Sequence, residues 1–273
     1  MEAKTQRFAY PLGSTELNFY PAENPNAPTI IALHGFTGLG SDFALCAHAA
    51  HRAFSWVCPD LPGHGRHETR ENYPEAFSSL LEKLHETFPA AHLLGYSMGA
   101  RLLLVHSITK GMNSPSLTLI SATGGIEGSI ERRQRVENDA ILAERLLSDG
   151  LHTFLEFWAN TPLIQTQENI PAKWKQRMRQ QRLMRHSPKN LATALRQFSP
   201  GVIPTVWEQL RQISAPTLLS YGEQDGKYAN YAKRLHQLIP DAALSAIPGS
   251  GHAPHLESPE LFAKSLQNFI KKQ

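Results

Sequence analysis

Residues 95–101 read G-Y-S-M-G-A-R, preceded by A-H-L-L and followed by L-L-L-V-H-S-I. A serine between two glycines at a strand-to-helix junction is the pattern of an exposed nucleophile, because only small residues fit beside a side chain held on so tight a turn. The pentapeptide alone also describes a glycine-rich junction with a surface serine. To do chemistry, Ser97 needs a base, and the base needs a group to orient it. Downstream, Asp225 sits in Y-G-E-Q-D-G-K after the apolar run T-L-L-S, and His252 sits in G-S-G-H-A-P-H after A-L-S-A-I. Both fall in loops after strand-like runs, and serine, acid, histidine is the chain order that such a turn takes. Order and loop context single out His252 from thirteen histidines, with His255 its nearest rival. H-x-x-H at 252 and 255 could pair two metal ligands, but no third ligand cluster accompanies it, so no metal is expected.

An oxygen that becomes negative during the reaction needs backbone N–H donors. Met98 offers one at the start of the helix, where the dipole favours negative charge. Phe36, in L-H-G-F-T-G, would offer the second. His34 in that segment and His64 in D-L-P-G-H-G are read as structural hydrogen bonders under these loops.

Arg101 follows Ser97 by four residues. A cation in the first turn of a helix opposes the dipole, and the helix continues as apolar L-L-L-V. Arg101 therefore requires a counter-anion, either a protein acid or a substrate carboxylate. Arg132, Arg133 and Arg135 form a second basic cluster. Such a cluster is ordinarily a solvated helix face, but one arginine pointing inward would add a bidentate carboxylate site.

The elements that must position these groups follow from hydrophobic patterning. Short apolar runs at Thr29–Leu33, Ser55–Cys58, His92–Leu94, Leu117–Ile120 and Thr217–Ser220 alternate with helical periodicity. That alternation predicts an α/β fold with a mostly parallel central sheet and helices on both faces. Gln6–Tyr10 and Glu16–Tyr20, separated by P-L-G-S-T, predict an edge hairpin. From about residue 125 to 212 strand-like runs almost vanish, and prolines punctuate amphipathic stretches. The expected organisation is a first core part at 1–124, a cap of four to six short helices at 125–212, and a second core part at 213–273. An insertion at that point can cover the strands' carboxyl ends, where open α/β sheets bind ligands.

Composition narrows the functions. The chain has 273 residues, 41% hydrophobic and 19% charged, with a formal net charge of +3. That charge is too small to argue for a nucleic-acid or membrane partner. Cys46 and Cys58 lack metal-ligand spacing and read as buried thiols, which fits a reducing compartment. With no signal-peptide pattern and no apolar run long enough to span a bilayer, a cytoplasmic protein is expected, acting as a monomer or weak oligomer.

Together, H-G-F-T-G, D-L-P-G-H-G, G-Y-S-M-G, G-E-Q-D and G-S-G-H resemble the α/β-hydrolase superfamily, in its order and over nearly the whole chain. The helical insertion falls in the superfamily's cap position. Within it, E-R-R-Q-R-V-E-N-D, F-L-E-F-W-A-N-T-P-L, R-L-M-R-H-S-P-K-N-L-A-T-A-L-R and P-T-V-W-E-Q-L are similar to segments of the 2-succinyl-6-hydroxy-2,4-cyclohexadiene-1-carboxylate synthases. These are lyases of menaquinone (vitamin K2) biosynthesis that eliminate pyruvate from 2-succinyl-5-enolpyruvyl-6-hydroxy-3-cyclohexene-1-carboxylate. The resemblance implies a triad of Ser97, Asp225 and His252, and carboxylate-binding arginines at Arg101 and Arg133. It implies that Tyr96 and Trp158 line the pocket and that Lys227 and Tyr228 match a D-x-K-[FY] segment. It implies a polycarboxylate small-molecule substrate and no metal or organic cofactor. In the implied mechanism Ser97, activated by His252, removes a ring proton rather than attacking a carbonyl. Ala100 replaces a common glycine, and R-H-E-T-R after D-L-P-G-H-G departs from the usual small residues. The triad itself would look the same in a serine hydrolase acting on carboxylate-bearing esters, thioesters or C–C diketones, so that alternative stays open. A non-catalytic scaffold is disfavoured by the complete triad.

Overall fold

The computed structural model describes residues 4–50, 53–111 and 114–273. Among the described residues nine strands form one sheet: β1 (Lys4–Tyr10), β2 (Gly13–Tyr20), β3 (Thr29–Leu33), β4 (Ser55–Pro59), β5 (Glu68–Thr69), β6 (His92–Tyr96), β7 (Leu117–Ile120), β8 (Thr217–Gly222) and β9 (Ala242–Ile247). Their order is β1-β2-β4-β3-β6-β7-β8-β9, with β5 pairing β2. From β4 to β9 all pairings are parallel, while β1 and β2 are antiparallel. The edge hairpin is tighter than the P-L-G-S-T gap suggests. Ala9 pairs with Ser14 and Phe8 with Thr15, so only Pro11 and Leu12 make the turn.

The central strands are apolar throughout because both faces are covered. Leu93, Leu119 and Leu219 enter one core cluster, and their neighbours Leu94, Ile120 and Leu218 enter the other. Six helices belong to this core: α1 (Ala44–Ala49), α2 (Tyr73–Thr87), α3 (Met98–Lys110), α7 (Gly226–Leu238), α8 (Pro254–Glu257) and α9 (Pro259–Ile270).

Between β7 and β8 lie α4 (Ser129–Ala159), α5 (Ala172–Arg185) and α6 (Pro188–Gln197), with 3-10 turns at Gln165–Asn169 and Trp207–Gln212. Within α4 the non-helical Gly150 (φ 80°, ψ 165°) separates two helices, residues 129–149 and 151–159, the first of them longer than the short helices expected. Ala143, Leu146, Phe154, Leu191, Ala192 and Leu195 give α4 and α6 an apolar core of their own.

Polar clasps hold α5 to the sheet. Arg182 pairs with Asp42 at 2.8 Å, and Arg185 pairs with Asp60 at 2.7 Å and with Glu16. Asp60 is fully buried, and its carboxylate also accepts from the Gly40 and Arg66 amides. Burial pushes its pKa up to about 6, against the opposing pull of Arg185.

Candidate active site

Ser97 follows β6 directly and has φ 50° and ψ −106°. Two close approaches demand that turn. A Cβ on Gly99 would lie 2.4 Å from the Leu33 carbonyl oxygen, and one on Gly95 would lie 2.6 Å from the Ala100 Cα. Helix α3 thus rests against β3 and β6, leaving the serine at the sheet's carboxyl edge. Asp225 follows β8 and His252 follows β9 at the same edge.

The three side chains meet. His252 Nδ1 lies 2.8 Å from Asp225 Oδ2, and His252 Nε2 lies 2.9 Å from Ser97 Oγ. The ionised carboxylate can only accept, so Nδ1 carries the proton and Nε2 accepts from the serine hydroxyl. The second Asp225 oxygen accepts from the Tyr228 amide at 3.1 Å, capping α7. The Tyr228 ring packs 4.4 Å from the His252 ring and the Tyr96 ring 5.5 Å from it. His255, the rival histidine, turns away into the core among Phe43, Tyr96 and Phe262. Burial lowers its pKa to about 3.

Neither the Phe36 nor the Met98 amide has a backbone acceptor among the described residues, so both are free to receive an oxyanion. The Phe36 loop is tied down by hydrogen bonds from both sides. The Leu61 amide donates to His34 Nε2 at 2.9 Å, so His34 Nδ1 carries the proton it gives to the Gly35 carbonyl at 2.8 Å. His186 closes the loop from the cap. It accepts from the Gly65 amide through Nδ1 and donates from Nε2 to the Thr37 carbonyl, both at 3.0 Å. Thr37 sits in the left-handed region at φ 62°. Burial keeps His34 and His186 neutral, the latter with a pKa near 3, and His64 is lowered to about 4. The Phe36 ring packs edge-on to Trp158 at 5.2 Å and joins the cap's apolar cluster.

Arg101 is buried, and its Nη2 donates to the Phe198 carbonyl at 2.7 Å, at the end of α6. Its Nε has no partner, and no carboxylate lies within 4 Å of its guanidinium among the described residues. Burial lowers its pKa to about 10, with neighbouring Tyr228 opposing that shift, so it stays a cation at neutral pH. The protein thus leaves this cation without an ion-pair partner.

The structure does not bring Arg133 to this site. Arg133 is exposed and lines a separate groove with Ser129, Arg132, Val136, Glu137 and Gly201. Arg132 is turned to the Gly201 carbonyl. Arg135 is the member of the cluster whose charge acts on Arg101 and Tyr228, and it is held by Asp139, one turn on, at 2.8 Å. A helix advances about 100° per residue, so two positions separate an outward side chain from an inward one. The i,i+4 spacing of Arg135 and Asp139 was the available signal.

Two cavities adjoin, one between cap and core and one walled almost wholly by cap residues. A narrow one is walled by Phe36, Asp42, Tyr96 and His255 and has almost no free space, about 20 Å³. A larger one of about 540 Å³ is walled by Glu156, Lys175, Met178 and Arg179. Thr37, Trp158, Ile164, Gln167 and Arg182 border both. Gln167 and Arg182 are wall residues that sequence reasoning missed. Polar cap residues look like solvated surface until the cap is folded down.

Residues 30–265 match the model of the alpha/beta hydrolase family. The chain belongs to that family. Among its relatives is a putative 2-succinyl-6-hydroxy-2,4-cyclohexadiene-1-carboxylate synthase of Bacillus subtilis (strain 168), 32% identical over 91% of this chain and 92% of the relative. A 2-succinyl-6-hydroxy-2,4-cyclohexadiene-1-carboxylate synthase of Pectobacterium atrosepticum is 27% identical over 90% and 95%. The solved structure of MenH from S. aureus superposes with a TM-score of 0.88 at 30% identity, covering 94% of this alpha/beta hydrolase and 98% of that chain. The match runs through the cap as well as the core, so this chain shares with these relatives the part that shapes its pocket.

Proposed function

We propose that the protein is a carbon–oxygen lyase, a 2-succinyl-6-hydroxy-2,4-cyclohexadiene-1-carboxylate synthase of menaquinone biosynthesis. It eliminates pyruvate from 2-succinyl-5-enolpyruvyl-6-hydroxy-3-cyclohexene-1-carboxylate. The observation that carries this reading is Arg101, a buried guanidinium one helical turn behind the nucleophile that forms no ion pair among the described residues. A hydrolase of neutral esters has no use for such a group, whereas a tricarboxylate substrate needs several cations. Full-length likeness to the named synthases supports the same reading.

The residues perform the elimination as follows. His252 Nε2 takes the proton of the Ser97 hydroxyl, and Asp225 stabilises the imidazolium that forms. Ser97 Oγ takes the ring proton next to the succinyl carbonyl. The electron pair moves toward that carbonyl, whose oxygen faces the Phe36 and Met98 amides. It then returns to form a ring double bond at the succinyl-bearing carbon, the existing ring double bond shifts one carbon along, and the carbon–oxygen bond to enolpyruvate breaks. The imidazolium returns its proton to the leaving group, and enolpyruvate tautomerises to pyruvate. Each proton removed is returned, and no metal or organic cofactor enters any step.

The partner is a small polycarboxylate rather than nucleic acid or membrane, and the enzyme works as a cytoplasmic monomer or weak oligomer. Among the described residues no helix is long and apolar enough to cross a membrane, and both cysteines are free thiols. The test is to incubate the purified protein with the enolpyruvyl cyclohexene and resolve the products by NMR. The reading expects equimolar pyruvate and cyclohexadiene. Unchanged substrate would overturn it.

A further inference from the structure

The catalytic histidine is held by its backbone as tightly as by its ring. Glu257, five residues on and buried, turns its carboxylate back over the His252 loop. Oε2 accepts from the Gly251 amide at 2.6 Å, and Oε1 accepts from the Ala253 amide at 3.0 Å. These are the peptide groups immediately before and after His252. From the other side the Ser121 hydroxyl donates to the His252 carbonyl at 2.8 Å. Ser121 follows β7 directly, in the left-handed region at φ 49°, a conformation that aims its side chain across to the β9 loop. No cation pairs with Glu257 among the described residues. Hydrogen-bond donors alone compensate its charge.

The third donor to Glu257 comes from the cap. The Thr166 hydroxyl, in the 3-10 turn at Gln165–Asn169, donates to Oε1 at 3.0 Å. Thr166 also packs against Gly251, where an added Cβ would lie 2.1 Å from the threonine hydroxyl. The next cap residue, Gln167, borders both cavities.

We propose that Glu257 is the positioning residue of the catalytic base: one carboxylate brackets His252 on both sides and ties that loop to the cap turn bordering both cavities. This inference rests on the triad acting in the proposed reaction, but its geometry concerns any reaction that uses His252 as base. A single carboxylate is suited to the task because both oxygens accept and neither donates. A glutamine of the same shape would turn an N–H₂ toward an N–H or O–H donor. At least one of the three bonds would then be replaced by a donor–donor clash.

The experiment compares Glu257→Gln with the wild type in three readouts: kcat and KM for pyruvate release, the rate at which a sulfonyl fluoride labels Ser97, and the downfield proton NMR signal of His252 Nδ1–H. Expected are a fall in kcat of at least tenfold with KM within twofold, a comparable fall in labelling rate, and loss or broadening of the imidazole signal. Labelling needs the base but not the lyase substrate. Slowed labelling therefore supports the positioning role even if pyruvate release proves not to be the reaction. Should Glu257→Gln not fold, Ser121→Ala removes the opposing bond, and a threefold or greater fall in labelling rate is expected. A folded variant that keeps wild-type labelling and an unchanged imidazole signal would overturn the proposal.

Discussion

The Arg101 guanidinium donates to the Phe198 carbonyl at 2.7 Å, so a cation on the nucleophile's helix is held by the C-terminal end of α6 in the cap. A carbonyl satisfies one N–H but leaves the charge unneutralised, and the buried Nε remains without a partner. Arg101→Ala should lower kcat/KM by a factor corresponding to about 2–5 kcal/mol of transition-state stabilisation. Arg101→Lys should recover only part of it, because an ammonium cannot reach both the carbonyl and a carboxylate with fork geometry. Steady-state kinetics of the two variants check this. Wild-type kcat/KM in Arg101→Ala would make the residue structural.

The placement of the cap arginines makes a second comparison decisive. Arg135 acts electrostatically on Arg101 and Tyr228, whereas Arg133 lines an outer groove. Arg135→Ala should raise KM or lower kcat/KM at least tenfold, and Arg133→Ala should leave both within twofold. The reverse ranking would return the anion site to Arg133.

The clasp between α5 and the sheet gives a stability prediction. Asp60 is fully buried, and Arg185 supplies its positive partner. Removing one member of a buried pair leaves an uncompensated charge, with a typical loss of about 3–5 kcal/mol. Arg185→Ala should show that loss in urea unfolding. A loss below 1 kcal/mol would mean that the amides of Gly40 and Arg66 suffice to hold the carboxylate.

Buried neutral histidines set the acid limit of stability. Burial lowers His64 to about 4 and His67, His186 and His255 to about 3. In the unfolded chain each would titrate near 6.5. Their contribution is therefore present above about pH 6.5 and is lost as pH falls toward 4, at about 1.4 kcal/mol per pH unit for each. Asp60, raised to about 6, works in the opposite sense because its folded form takes up a proton first, but it is one group against these histidines together with His34, His92 and His106, which burial also lowers. Unfolding midpoints in urea should drop steadily from pH 7 to pH 5. A flat profile would contradict the assignment.

Much of this site is legible in the sequence because its parts lie in local patterns. G-Y-S-M-G marks the elbow, and the loops after apolar runs mark Asp225 and His252. The sheet follows from runs such as T-I-I-A-L and T-L-L-S, whose lack of alternation demands burial on both faces. What escaped depends on tertiary approach. Arg133 and Arg135 differ by two positions on one helix, and only the packed structure tells which faces in. His186, Arg182 and Glu257 are polar residues in polar segments. Their partners Thr37, Asp42 and the Gly251 amide are brought to them by the fold, at separations from 6 to 149 residues.

The central claim is that Ser97 serves a lyase. Its most direct test measures pyruvate release from the enolpyruvyl cyclohexene by wild type and Ser97→Ala, beside hydrolysis of p-nitrophenyl esters by the same preparations. The account predicts rapid pyruvate release by wild type, a loss of at least a thousandfold in Ser97→Ala, and slow ester turnover. Fast ester hydrolysis with pyruvate release no faster than in buffer would contradict it and assign the triad to a hydrolase.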